Sequence, residues 1–78
     1  MNKYNDKGER HGPWEDYYTN GNLMDKENFV NGVRHGLCET YHSNGKLWYK
    51  VNHINGNRYG FYERYYSNGK LNLKQYYL

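Results

Sequence analysis

Tyr41-His42-Ser43-Asn44-Gly45-Lys46-Leu47 decides the fold, because the same frame returns as Tyr65-Tyr66-Ser67-Asn68-Gly69-Lys70-Leu71 and, more loosely, as Tyr17-Tyr18-Thr19-Asn20-Gly21-Asn22-Leu23, each copy 24 residues from the next. Asn-Gly flanked by alternating aromatic and polar residues is the strongest short-range hairpin signal, since a type I′ turn needs positive φ at both central positions. Taking Asn-Gly as the two-residue loop sets Ser43 against Lys46 and His42 against Leu47, and counting outward sets Glu39 against Lys50. The same count opposes Glu15 to Lys26 and Glu63 to Lys74. All three hairpins then carry an opposite-charge pair at one rung, which supports the register independently.

Outward from the hairpins, Gly8, Gly32 and Gly56 open three stretches with Gly, Arg, His or Tyr, Gly, Glu, Tyr and Asn-Gly in fixed register. The whole of 1–78 therefore reads as one tandem-repeat domain, with repeats 8–31, 32–55 and 56–78 and a partial N-terminal edge strand in 1–7. Asn31-Gly32-Val33-Arg34-His35-Gly36 and Asn55-Gly56-Asn57-Arg58-Tyr59-Gly60 form glycine-bracketed connectors between hairpins. Strands are expected at about 13–18, 23–30, 37–42, 47–54, 61–66 and 71–77, with Lys3 to Asn5 as a first edge. The fold class is all-β: a single-layer antiparallel meander of six to seven strands, in which every repeated residue becomes a ladder across the sheet. A chain of 78 residues with mean hydropathy −1.33 encloses no large core, but a repeat sheet accumulates stability along the array instead. Eleven tyrosines against one proline favour strands over disorder.

These motifs resemble the MORN repeat family in its bacterial and viral variant. The carrying residues are His11-Gly12-Pro13-Trp14 and the Tyr-x-x-Asn-Gly frames at Tyr17, Tyr41 and Tyr65, the latter two continuing as Lys46-Leu47 and Lys70-Leu71. The resemblance covers 8–78. The family often has Gly in the returning strand where this chain has Glu27, Val51 and Gln75, and its Trp is Cys38 and Tyr62 in the second and third repeats. The resemblance implies non-catalytic scaffolds, lipid-headgroup binders, or antitoxin-like partners of toxins; fold does not choose among these.

Alternation divides the sheet into a mixed face threaded by the Glu-Lys pairs and a second face on which the repeats diverge. The second face is acidic in repeat one, at Asp16, Asp25 and Glu27, and apolar in repeats two and three. A single layer has nothing of its own to cover such a surface, and contiguous exposed apolar area marks an interface. His42, Leu47, Tyr49, Val51, His53, Tyr62, Tyr66, Leu71, Leu73 and Tyr77 are accordingly the expected contact with a protein partner. A homodimer is expected too, because the strand from Leu71 to Tyr77 offers an unpaired edge guarded mainly by Lys70 and Lys74.

Arg10, Arg34 and Arg58 form a connector ladder beside aromatic residues, and a net charge of +3 with a pI near 9.0 makes an anionic ligand the alternative. Lys is largely answered by Glu across the hairpins, which weakens both nucleic acid and a membrane surface as partners. Catalysis has little support: His11 and His35 share the connector slot of Tyr59, and Cys38 stands in register with Trp14 and Tyr62. The reading is of a non-enzyme without metal or cofactor. One cysteine, no apolar run of spanning length and a start without a signal-peptide core lead to a cytoplasmic expectation.

Overall fold

Period-two alternation on either side of each turn builds extended segments whose only route to satisfied backbone groups is lateral pairing. The computed structural model describes residues 2–78. It contains β1 (Gly12–Tyr17), β2 (Leu23–Val30), β3 (Val33–Arg34), β4 (Gly36–Tyr41), β5 (Leu47–Ile54), β6 (Asn57–Tyr65) and β7 (Leu71–Tyr77), all strand and no helix among the described residues. They form one antiparallel sheet in the order β1-β2-β4-β5-β6-β7, with β3 beside β2. The Cα trace measures 41 × 36 × 10 Å, the thickness of one layer.

The expected rungs are present: Glu15 opposes Lys26, Glu39 opposes Lys50 and Glu63 opposes Lys74. Lys26 also opposes Glu39 and Lys50 opposes Glu63 across the repeat junctions. Glu15, Lys26, Glu39, Lys50, Glu63 and Lys74 therefore make one row of alternating charge across six strands. Glu63 sits at its most compact point, 3.7 Å from Lys50 and 3.6 Å from Lys74.

The turns differ from expectation. His42 N–H donates to the Lys46 carbonyl at 2.8 Å and Gly45 N–H to the His42 carbonyl at 2.9 Å, with the same pair of bonds at Tyr18 and Tyr66. Gly45 has φ 91° while Asn44 is not among the positive-φ residues. The loop is thus Ser43-Asn44-Gly45, a turn closed by a left-handed glycine, rather than a two-residue type I′ loop. The extra residue is absorbed by a β-bulge, since Thr40 faces Tyr49 but Tyr41 faces Leu47, leaving Trp48 unopposed. Met24 and Asn72 are left unopposed in the same way. Below the bulge the register is one step off the count made from Asn-Gly; beyond it the Glu-Lys rungs agree. The type I′ turns lie in the connectors, where Asn31 and Gly32 have φ 50° and 84° and Asn55 and Gly56 have 51° and 83°.

Lys3 to Asn5 is not a strand; Tyr4 makes a single bridge to Arg10. His11 N–H donates to the Lys3 carbonyl and Asn5 N–H to the Glu9 carbonyl, at 3.0 and 2.8 Å, so 3–11 forms a small hairpin against β1. A left-handed Asn is tolerated better than other non-glycine residues. Asn55→Ala should therefore lower stability by about 1 kcal/mol and Asn55→Gly hardly at all, as read from urea denaturation; equal losses would count against a type I′ connector.

Candidate functional site

Trp14, Phe29, Cys38, Val51, His53 and Tyr62 are buried although the protein has one layer, and the cover comes from the connectors. The Arg10 guanidinium lies 4.7 Å from the Trp14 ring and 5.5 Å from Phe29, Arg34 lies 5.6 Å from Phe29, and Arg58 lies 4.9 Å from Tyr62 and 5.8 Å from Tyr77. The connector turn places each arginine on the core face, opposite Phe29 for Arg34 and opposite His53 for Arg58. Ring contacts complete the stripe: Tyr4 edge-on to Trp14 at 5.4 Å, Trp14 to Phe29 at 5.7 Å and Tyr49 stacked on Tyr62 at 5.7 Å. Arg34 is further held by Glu27, Nε to carboxylate at 2.6 Å. Gly12, Gly36 and Gly60 sit opposite Phe29, His53 and Tyr77 with φ of 85°, 89° and 74°, a left-handed backbone that favours glycine.

This geometry redistributes the residues that alternation assigns to an exposed apolar face. Val51, His53 and Tyr62 are buried, Val51 to 1 % exposure, so that face is not bare. Tyr49, Leu73 and Tyr77 are half-buried beside them. Leu47 and Leu71 oppose Tyr41 and Tyr65, because of the bulge, and therefore lie on the Glu-Lys face. His42 stacks on the unopposed Trp48 at 4.9 Å and its Nε2 lies 3.0 Å from the Tyr65 carbonyl. Tyr66 is exposed. Arg10, Arg34 and Arg58 are brought into one row, but each is already laid on the protein's own rings.

The exposed apolar side chains gather on the opposite face. Leu37, Phe61 and Tyr76 are 46 %, 53 % and 61 % exposed, in the row next to the alternating charges, with Leu71 at 54 % on the far side of that row. Phe61 and Tyr76 meet edge to face at 5.0 Å, and the Lys74 ammonium lies 4.6 Å over Phe61. Tyr65 donates to Glu63 at 2.7 Å, and that bond, with Lys50 and Lys74, holds the Glu63 carboxyl below its usual range. Alternation from Glu39 and Glu63 puts Leu37 and Phe61 on this face, and their apolar character in the slot of Pro13 is the sequence signal for its exposed part. Among the described residues no group of three His, Cys, Asp or Glu is placed to hold a metal.

His53 is the buried imidazole of the core stripe, and its Nδ1 has no hydrogen-bond partner. Burial, with Arg34 and Arg58 nearby, pushes its pKa below the ordinary value, against a smaller opposing pull from Glu27. The unfolded chain therefore binds a proton that the fold refuses, so stability is full above the unfolded value of about 6.5 and falls as pH drops through the folded one. Urea midpoints should decline as pH falls below about 6.5, and His53→Tyr, matching Tyr77, should flatten that decline; an unchanged slope in the variant would contradict it.

A family model described as MORN repeat variant matches residues 10–31, 34–55 and 58–78. No curated protein and no solved structure matches the chain. MORN repeats are commonly protein- or membrane-binding modules, and the family is generally non-enzymatic. With three matched repeats in the register of the three hairpins, the chain belongs to the MORN repeat variant family.

Proposed function

We propose that the chain is a non-catalytic protein-binding module of the antitoxin, immunity or host-directed inhibitor kind, acting in the cytoplasm through the Glu-Lys face of its second and third repeats. One observation carries this reading: exposed apolar side chains and a fixed row of alternating charge share a face, Leu37, Phe61 and Tyr76 beside Glu39, Lys50, Glu63 and Lys74. Apolar contact supplies affinity, while the charge row selects partners whose charges alternate in the opposite sense. The competing reading, an anionic ligand on Arg10, Arg34 and Arg58, would require lifting guanidiniums off the rings they cover. That recruitment would expose the core stripe. The mixed signs of the other face likewise disfavour a polyanion or an anionic membrane.

The test uses the partner captured from the native cytoplasm and measures its affinity for the wild type, Leu37→Ala and Phe61→Ala. Truncating a central anchor costs about 2 kcal/mol, or roughly thirtyfold. The expected result is such a loss in at least one variant, with weak dependence on salt. Binding unaffected by both substitutions, or an affinity that collapses with moderate salt as phosphate contacts do, would overturn the reading.

A further inference from the structure

The two edges of the sheet are finished differently. At the β1 edge the Asn2 side chain donates to the Glu15 carbonyl at 2.9 Å and accepts from Glu15 N–H at 2.7 Å, doing what a neighbouring strand's backbone would do. Pro13, two residues along the same edge, has no N–H to offer. At the other end of the strand order, nothing among the described residues pairs with the outer side of β7. Lys74 holds the repeat position of Lys26 and Lys50, which face Glu39 and Glu63 of the following repeat. Glu15 turns both backbone groups outward to Asn2, so its rung with Lys26 is a non-hydrogen-bonded pair; alternating along the row of rungs, Lys74 turns its backbone groups outward, and so does Tyr76. The bulge at Asn72 interrupts this edge, so its regular part runs from Leu73 to Tyr77, centred on Gln75.

We propose that the β7 edge pairs antiparallel with β7 of a second copy about a twofold axis at Gln75. Gln75 then faces Gln75 of the second copy, Lys74 faces its Tyr76 and Leu73 faces its Tyr77. Opposed residues must share a face, so neighbouring registers move the centre by one residue. A centre at Lys74 sets two ammonium groups directly opposite, which is unfavourable. A centre at Leu73 runs the pairing into the bulge and the Ser67-Asn68-Gly69 turn. The Gln75 register instead sets each Lys74, already over Phe61, beside the other copy's Tyr76. It also lets two side-chain amides hydrogen-bond and continues the Tyr62-Tyr77 stripe across the axis. Among the described residues the second copy offers only this edge, because its β1 edge is occupied by Asn2. The association is closed and isologous, so it stops at two.

Cross-linking tests the register. Outward pairing at Lys74 and Tyr76 makes Gln75 a non-hydrogen-bonded pair, with Cα atoms about 4.5 Å apart, inside disulfide range. In a Cys38→Ala background, Gln75→Cys should give a covalent dimer under mild oxidation, whereas Leu73→Cys, on the same edge but facing Tyr77, should not. Light scattering at high micromolar concentration should give the dimer mass for the wild type and the monomer mass for Lys74→Pro, which loses the outward N–H. Leu37→Ala lies on β4, with β5 and β6 between it and the edge, and should leave the dimer intact whatever it does to partner binding. A monomeric wild type, masses rising past the dimer, or equal cross-linking at both positions would overturn the proposal.

Discussion

A guanidinium laid over an aromatic ring is what allows one layer of sheet to keep a core. Trp14, Phe29 and Tyr62 have no second sheet or helix above them, yet each is at most 7 % exposed, and each lies under Arg10, Arg34 or Arg58. Arginine suits the task because its charge is delocalised and weakly hydrated, so its flat face stacks on a ring while its edge stays in water. The connector delivers it: the type I′ turns at Asn31-Gly32 and Asn55-Gly56 return the chain so that Arg34 and Arg58 come down on the core side. Each repeat thus brings its own lid, and stability accumulates from repeat to neighbouring repeat.

That arrangement divides the labour between the faces. Lids close one face, so the polar and apolar groups left for recognition are those around the Glu-Lys row. The turns at the opposite end of the strands are stitched as well, Asn20 and Asn22 donating to the Ser43 carbonyl and Asn44 to that of Ser67, at 2.8 to 2.9 Å. A stitched rim, a lidded face and an edge closed by Asn2 leave the Glu-Lys face and the β7 edge as the surfaces with unmet bonding capacity.

Most of the fold was legible in the sequence because its signals are periodic. The alternating charges marked the rung Glu39-Lys50 whatever the turn did, since the bulge at Trp48 lies between that rung and the loop. The turn type was not legible from Asn-Gly alone. Ser43-Asn44-Gly45 and Asn55-Gly56 share the dipeptide, and the number of residues that close each loop follows from pairing of the strands rather than from the loop itself. That one-step difference moved Leu47 and Leu71 to the other face. The role of the arginines was hidden for a related reason, because the direction of a connector side chain depends on a turn whose type was assigned elsewhere. Val51, His53 and Tyr62 consequently read as a bare patch when they are the covered core.

The lid is best tested by urea denaturation of Arg58→Ala beside the wild type. Arg58 covers both Tyr62 and Tyr77 and forms no ion pair with a carboxylate among the described residues, so its loss reports ring cover rather than a salt bridge. The account predicts a loss of about 1 to 2 kcal/mol. Unchanged stability would mean the guanidinium is free for a ligand, and would contradict the assignment of this face to the core.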